Sequence, residues 1–143
     1  MSNKLIGAAA VILDTGRRIL LVKHSYGKCN WELPGGLSEP DESAGDTARR
    51  EVMEETGLEV SVEQLTGVYY DPNNDMHHFV FICKELNNQA AKPDLQEILE
   101  CGIFSEDDLP RPISDFTVQR ISHALHPEAH QLFHTIGPRQ WIE

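Results

Sequence analysis

The sequence predicts a mixed α/β fold, an α+β sandwich in which strands stand before and after one central helix. Two observations carry this prediction. The first is a set of short apolar runs rich in β-branched residues and bounded by turn residues, which is typical of strands. The second is a pair of segments with helix-capping signals, at residues 43–57 and from residue 114 onward.

The first two strands are predicted within the first 23 residues. Leu5–Leu13 is an apolar run, Asp14–Gly16 has the composition of a turn, and Ile19–Val22 continues as a second strand. This order predicts a β-hairpin. Because both runs are nearly continuous in apolar residues, we expect them to be buried on both faces of a sheet.

Three further strand segments follow the central helix. Residues 59–62 alternate between polar and β-branched residues, and residues 68–70 and 78–82 are rich in aromatic and β-branched side chains. Residues 71–75 lie between the last two segments and contain Pro, Asn and Asp, which favour a turn.

The central helix is predicted from about Ser43 to Thr56. Ser43, with Asp46 three residues later, resembles a capping box. Gly57 supplies a stop at the other end.

A second helix is predicted to begin after Ser114. Its apolar stripe comprises Phe116, Val118, Ile121 and Leu125. Pro127 should interrupt this helix, and a short helix is expected to restart there.

Length and composition favour one globular domain spanning residues 1–143. Hydrophobic residues make up 40% and charged residues 24% of the chain, which argues against general disorder. No stretch approaches the ~20 apolar residues of a membrane span. The three cysteines form no CxxC pair, and Cys83 is expected to be a small buried hydrophobe. Reduced thiols and the lack of a recognisable export signal favour a cytoplasmic location.

The formal net charge of −11 is concentrated in two segments. Residues 36–58 carry a net charge of −5 and residues 94–108 a net charge of −6. The acidic balance disfavours binding to duplex nucleic acid, because phosphate contacts need Lys and Arg. The two segments are either solvated helix faces or sites that bind cations for catalysis.

The first acidic segment follows Trp31–Gly36, which ends in a glycine pair. These glycines are expected to let the backbone turn sharply and expose its polar groups to a ligand. On the helix, the spacing places Glu51, Glu54 and Glu55 on one face, where like charges repel. A divalent cation would reverse that interaction, and crowded hard oxygen ligands suit Mg²⁺ or Mn²⁺.

The spacing across residues 36–58 is more specific than the glutamates alone. In order, the segment contains Gly36, Glu42 after five residues, Arg50-Glu51-Val52 after seven, Glu54-Glu55 after one, and Gly57-Leu58 after one more. This pattern resembles the Nudix box, the signature of hydrolases that act on nucleoside diphosphates linked to another moiety. The approach Trp31–Gly36 also resembles the family, and the resemblance extends to about Leu109.

The resemblance to Nudix hydrolases, in particular to small MutT-like members, implies an α/β/α sandwich with a mixed central sheet. It implies that Glu51 serves as general base or metal ligand and that Glu54 and Glu55 are metal ligands. The carbonyl of Gly35 is expected to join them. Arg50 would orient the carboxylates, so that Glu51, Glu54 and Arg50 form the catalytic set.

The resemblance also implies supporting acids. Glu42 would support the loop from within it, and a carboxylate distant in sequence would complete the metal site. Glu97 and Glu100, both in the second acidic segment, are the candidates, with a slight preference for Glu97.

Four residues are candidates for substrate binding: Gly36, His24, Tyr26 and His78. Histidines at strand ends could reach a phosphate or a base, although most histidines at such positions are simply surface residues. Tyr26 could stack on a nucleobase, as could Tyr69, Tyr70 and Phe79, with core packing or rim exposure as the alternative for each.

Histidines 123, 126, 130 and 134 are spaced like a stripe on a helix. Because Pro127 should break that helix and no acid or cysteine completes a ligand set, a solvated face is favoured over a metal site.

These inferences predict a Mg²⁺-dependent enzyme, with Mn²⁺ as a possible substitute, that hydrolyses a pyrophosphate bond. Nucleoside triphosphates, oxidised nucleotides and nucleotide sugars such as ADP-ribose all remain open as substrates. The alternative is a catalytically silent Nudix-like domain that senses a nucleotide and regulates a partner. The expected ligand is a small-molecule nucleotide, and the chain is expected to be a monomer or a homodimer.

Overall fold

The computed structural model describes residues 3–143, so Met1 and Ser2, which the N-terminal prediction included, lie outside the described residues. The strands are β1 (Leu5–Ile12), β2 (Ile19–His24), β3 (Trp31–Glu32), β4 (Gly35–Leu37), β5 (Val60–Asp71), β6 (Met76–Glu85), β7 (Ile98–Phe104), β8 (Ile113–Ser114), β9 (Phe133–Thr135) and β10 (Trp141–Ile142). The α-helices are α1 (Ala44–Thr56) and α2 (Asp115–Leu125). No helix formed by residues 3–143 has the length and hydropathy needed to cross a membrane.

The strands form two five-stranded sheets rather than one. The first sheet has the order β4-β1-β6-β5-β9 and the second the order β10-β8-β3-β2-β7. Both are mixed, because β1 pairs with β6, β5 with β9 and β3 with β8 in parallel, while the other pairs are antiparallel. The mixed α+β class predicted from the sequence is confirmed.

The prediction of an N-terminal hairpin is wrong, because β1 and β2 do not pair along their length. β1 lies between β4 and β6 in the first sheet, whereas β2 lies between β3 and β7 in the second. The two strands share only an isolated bridge between Leu13 and Ile19. Both edges of each strand are paired with other strands, so β1 and β2 diverge into separate sheets instead of pairing with each other.

Both faces of β1 are buried, as its continuous apolar run predicted. Ala9 and Val11 pack in one hydrophobic cluster, and Ala10 and Ile12 pack in another. The alternation follows from the two-residue period of a strand. The first cluster contains the apolar residues of α2 and the second contains Val52 of α1, so the two helices pack against opposite faces of this strand.

Helix α1 begins and ends where the sequence predicted. The Ser43 side chain accepts a hydrogen bond from the Asp46 amide, and Gly57 adopts a left-handed φ of 74° while its amide donates to the Met53 carbonyl. Ala48 and Val52 are fully buried. Their packing fixes the helix, and with it Glu55 on the same buried face and Glu51 beside it.

The prediction for α2 is also confirmed. Ser114 caps the helix by accepting a hydrogen bond from the Thr117 amide, and Phe116, Ile121 and Leu125 are buried. Pro127 ends the helical run and opens a short 3₁₀ turn over Pro127–Ala129.

Candidate active site

The glycine pair lies in β4, where Gly35 is opposite Ala9 and Gly36 is opposite Ala8. Neither glycine has a positive φ, so the sharp turn predicted here is wrong. A side chain at Gly35 would instead collide with the Ala8 carbonyl oxygen and the Ala9 backbone. Glycine is needed at this position because β4 packs closely on β1.

Two of the predicted carboxylates lie directly against these glycines. A Cβ atom placed on Gly36 would be 2.5 Å from Glu51 Oε1. The Gly35 amide donates a hydrogen bond to Glu55 Oε2 at 3.3 Å. The glycine pair and two acids of α1 therefore form one compact unit.

Glu55 occupies an unusual environment for an acid. Its side chain is only 4% exposed, and its second oxygen, Oε1, is buried without a hydrogen-bond partner. Burial, together with the adjacent carboxyl group of Glu51 and its charge, raises the pKa of Glu55 to about 10. In the absence of a cation this carboxyl group therefore holds a proton at neutral pH.

Arg50 holds three acids of the segment together. It donates from Nε to Glu42 Oε2 at 2.8 Å and from Nη2 to Glu42 Oε1 at 3.0 Å. From Nη1 it reaches Glu51 Oε1 at 3.1 Å and both oxygens of Glu54 at 3.2 Å. Such charge-assisted contacts fix the orientation of the carboxylates.

Glu42 anchors this arginine from the loop before the helix. Its carboxylate also accepts hydrogen bonds from the Glu39 amide at 3.1 Å and from Thr47 Oγ1 at 2.7 Å. The hydrogen bonds from Arg50, Glu39 and Thr47 lower the pKa of Glu42 to about 2. Glu42 thus remains ionised as the counter-charge of Arg50.

The residues of this unit suit a divalent cation in their chemistry. No group of three or more His, Cys, Asp or Glu side chains within residues 3–143 is arranged to enclose a metal ion. Arg50 instead occupies the oxygens of Glu51 and Glu54. The unpartnered oxygen of Glu55 beside the carboxylate of Glu51 is the feature that a cation would satisfy, since hard oxygen donors are the ligands that Mg²⁺ and Mn²⁺ prefer.

The two candidates for a distant acid occupy different surroundings. Glu97 precedes β7, and its negative charge contributes, after burial and Glu51, to the raised pKa of Glu55. Glu100 lies on β7 and faces Lys23, with its Oε2 atom 3.7 Å from Nζ. The charge of Glu97 therefore acts on Glu55, while Glu100 faces Lys23; which of the two is a metal ligand stays a prediction.

The four candidates for substrate binding line a single cleft of about 150 Å³. The cleft contains His24, Tyr26, Gly36 and His78 together with Gly35. The rings of His24 and Tyr26 stack on each other, with their centroids 4.6 Å apart. The other aromatic candidates do not line this cleft: Tyr69 is fully buried in the core, and Tyr70 donates to Asp75 at 2.7 Å.

One charged group that lines this cleft was not predicted from the sequence. Arg120 of α2 is 3% exposed and donates from Nη2 to Glu32 Oε1 at 2.6 Å. Thr117 Oγ1 and the Leu33 amide donate to the same oxygen. Burial raises the pKa of Glu32, but the charge of Arg120 and these hydrogen bonds outweigh it, so the net pKa lies below its usual range.

Arg120, Glu32 and Arg139 all line the cleft, although none was a candidate. Glu32 belongs to the approach segment Trp31–Gly36, which was the only sequence signal available for it. Nothing in the sequence indicated that an arginine on α2 and another near the C-terminus would face the same cleft.

The histidine stripe is divided by the structure. His123 is buried, and its Nδ1 atom lies 2.8 Å from the hydroxyl oxygen of Tyr69. The rings of His130 and His134 lie 4.0 and 4.4 Å from that of His123, centroid to centroid. His126 instead pairs with Glu106 at 2.9 Å.

The comparisons with known proteins agree with this geometry. The family model described as the NUDIX domain matches residues 3–124 of the chain. A MutT-like protein from Streptomyces ambofaciens is 42% identical over 77 residues, which cover 54% of this chain and 49% of that protein. An ADP-ribose pyrophosphatase from Methanocaldococcus jannaschii is 32% identical over 106 residues, covering 70% of this chain and 62% of that protein. The chain thus spans about half the length of the first of these relatives.

A solved structure of a NUDIX hydrolase from Nitrosomonas europaea has the same fold. It superposes with a TM-score of 0.82 at 22% identity, covering 96% of this chain and 81% of that one. This likeness concerns the two-sheet, two-helix architecture.

Replacing Glu55 with glutamine should raise the metal-free stability of the protein. Glu55→Gln removes the cost of burying a carboxyl group beside Glu51, so we expect the free energy of unfolding in urea to rise by about 1 kcal/mol at pH 8. The same variant should lose the rise in melting temperature that Mg²⁺ or Mn²⁺ produces in the wild type. Glu59→Gln, at an exposed position after α1, is the matched control and should change neither value. A metal-induced shift that survives in Glu55→Gln would contradict the prediction.

The stability of the fold should decrease as the pH falls from about 6.5 towards 4. Burial, with the neighbouring His130 and His134, lowers the pKa of His123 to about 4. Burial, with the charges of Arg120 and Arg139, lowers the pKa of His78 to about 4 as well. Between pH 6.5 and pH 4 these histidines are protonated in the unfolded chain but not in the folded one. Acidification therefore lowers the free energy of unfolding, by on the order of 1–3 kcal/mol for each histidine.

Urea unfolding of the wild type and His123→Gln between pH 4 and pH 8 measures this dependence. The variant should show a shallower loss of stability on acidification than the wild type. The exposed His126→Gln serves as the control and should follow the wild-type curve. Identical curves for the wild type and His123→Gln would exclude the proposed contribution of His123.

Proposed function

Because this chain belongs to the NUDIX domain family, we propose that it is a hydrolase that cleaves a pyrophosphate bond in a nucleoside diphosphate derivative, using Mg²⁺ with Mn²⁺ as a possible substitute. The chain carries the complete box from Gly36 to Leu58. Divalent metals are generally used by this family. We also propose that residues 1–143 act as one domain, since both sheets contribute to shared hydrophobic clusters.

One observation supports the proposal above all others. Glu55 is buried beside Glu51 with one oxygen unpartnered, in contact with the backbone of the glycine pair. This arrangement does not stabilise the helix, because burying a protonated acid among polar neighbours costs free energy of folding. A divalent cation held by Glu51, Glu54 and Glu55 removes that cost.

Each residue of the set has a defined part in the proposed reaction. A bound divalent cation would offset the charge of the two phosphoryl groups and make water more acidic. Glu51 is positioned by Arg50 and by the Gly36 backbone to accept the proton of the attacking water. Arg50 keeps Glu54 on the same side of α1, and Glu97 adds negative charge from the neighbouring sheet. The carbonyl of Gly35 is proposed as a further ligand.

The cleft beside these acids is where we place the nucleotide. Tyr26 offers an exposed ring for stacking, and His24, Gly36 and His78 line the walls. The candidate substrates are nucleoside triphosphates, their oxidised forms and nucleotide sugars. ADP-ribose belongs among them because the relative from Methanocaldococcus jannaschii bears the name of an ADP-ribose pyrophosphatase.

A substrate panel tests the proposed activity against the silent-sensor alternative. Wild-type protein with Mg²⁺ or Mn²⁺ should release phosphate, pyrophosphate or nucleoside monophosphate from at least one nucleotide of the panel. Glu54→Gln should lower kcat by about 10²–10⁴-fold, since it removes a carboxylate from the reacting site. The exposed Glu59→Gln is the matched control and should keep wild-type kcat. If wild type and Glu54→Gln were equally inactive across the panel yet still bound nucleotide, the sensor alternative would be correct.

The two candidates for the distant acid provide an internal comparison. Glu97→Gln should weaken the dependence of activity on Mg²⁺, raising the concentration for half-maximal rate by about tenfold, because a charge near Glu55 is lost. Glu100→Gln should leave this concentration unchanged, since Glu100 faces Lys23. Equal Mg²⁺ titrations for both variants would reject the assignment of Glu97.

A further inference from the structure

The last part of the chain returns to the cleft and adds a residue to it. β10 pairs with β8, placing Trp141 opposite Ser114 and Ile142 opposite Ile113. The Gln140 amide donates to Asp115 Oδ1 at 2.9 Å, and the Asp115 amide donates to the Gln140 carbonyl at 2.8 Å. Arg139, the preceding residue, therefore has a backbone fixed beside the start of α2. It lies beyond residue 124, where the match to the family model ends.

Arg139 shares the cleft with a second arginine. Both guanidinium groups lie over the ring of Phe116, with Cζ to centroid distances of 4.0 Å for Arg120 and 5.3 Å for Arg139. Both side chains line the cleft that contains Gly35 and Gly36. These two guanidinium groups over Phe116 define the arginine end of the cleft. The glycine pair in the same lining is contacted by Glu51 and Glu55 of α1.

The two arginines differ in how their charge is balanced. Arg120 is buried and paired with Glu32 at 2.6 Å. Arg139 is exposed, and within residues 3–143 it forms no ion pair. This end of the cleft consequently carries one positive charge that the protein does not neutralise.

His78 completes this end of the cleft with an unused hydrogen-bonding atom. Its Nε2 atom is buried without a partner, and its ring meets the edge of Phe116 at a centroid distance of 5.2 Å. Buried polar atoms in folded proteins nearly always have partners, and a missing one is a common feature of ligand sites. Burial, then Arg120 and Arg139, keep the pKa of this histidine low, so the neutral ring can donate or accept one hydrogen bond.

We propose that Arg139, Arg120 and His78 form a subsite for an anionic substituent of the substrate, a phosphate or a carboxylate remote from the pyrophosphate bond that is cleaved. The inference rests on the proposed function, since it assumes that the pyrophosphate lies beside the glycine pair, against which Glu51 and Glu55 pack. A guanidinium group binds such an anion through paired hydrogen bonds. The negative charge of Glu32 is balanced by its ion pair with Arg120 at 2.6 Å, so it does not cancel the charge of Arg139.

Matched pairs of nucleotides that differ only in a remote anion test the subsite. One pair is ADP-ribose and its 2′-phosphate, in which the added charge is on the nucleoside. The other pair is UDP-glucose and UDP-glucuronate, in which the added charge is a carboxylate on the sugar. Isothermal titration of metal-free protein measures the affinity for each, and kcat/KM with Mg²⁺ provides a second readout.

The wild type should bind the charged member of at least one pair about tenfold more tightly than its neutral partner. Arg139→Gln should reduce this preference to less than about twofold while leaving the affinity for the neutral member unchanged, and Arg139→Lys should retain part of it. Arg111→Gln, which replaces an exposed arginine outside the cleft, is the matched control and should keep the full preference.

Three results would overturn the subsite: no preference in the wild type, an unchanged preference in Arg139→Gln, or a preference that follows the nucleobase instead of the remote charge. Failure of the proposed function has a different signature. In that case no nucleotide of the substrate panel and no member of either pair is hydrolysed with Mg²⁺ or Mn²⁺, while the preference for the charged member in the titration, and its loss in Arg139→Gln, would still support the subsite.

Discussion

A carboxyl group buried without a counter-charge is costly, and Glu55 is placed in that position by the packing of α1 on the first sheet. The helix is fixed by Ala48 and Val52 on its apolar side and by caps at Ser43 and Gly57. Glu55 follows Ala48 and Val52 on the same buried face and so meets the glycine backbone, where the Gly35 amide donates to it. The proposed divalent cation would offset the cost of burying this acid beside Glu51.

Arg50 explains how such a set of acids is tolerated before a cation binds. Its guanidinium group contacts Glu42, Glu51 and Glu54 and so supplies positive charge where the helix is most acidic. Glu55 is excluded from this arrangement and holds a proton instead. The net charge of −11, which disfavours polyanionic partners in general, is therefore compatible with a phosphate-bearing ligand once a cation lies between them.

The cleft depends on contacts between segments that are distant in the chain. β1 and β4 supply its glycine floor, α2 supplies Arg120, and the segment before β10 supplies Arg139. The arginines therefore share one cleft with the glycine pair that contacts Glu51 and Glu55 of α1.

The sequence by itself determined the mixed α/β class, both helices with their caps, and the box acids with Arg50, because these depend on local periodicity, capping chemistry and fixed spacing. It did not determine that β1 and β2 belong to different sheets, because strand pairing depends on the other strands of each sheet and not on the turn between β1 and β2. It also did not show that the glycine pair serves close packing instead of a turn. Only the tertiary structure placed Glu100 opposite Lys23 and brought Arg120, Arg139 and His78 together, because burial and charge at these positions arise from neighbours distant in sequence.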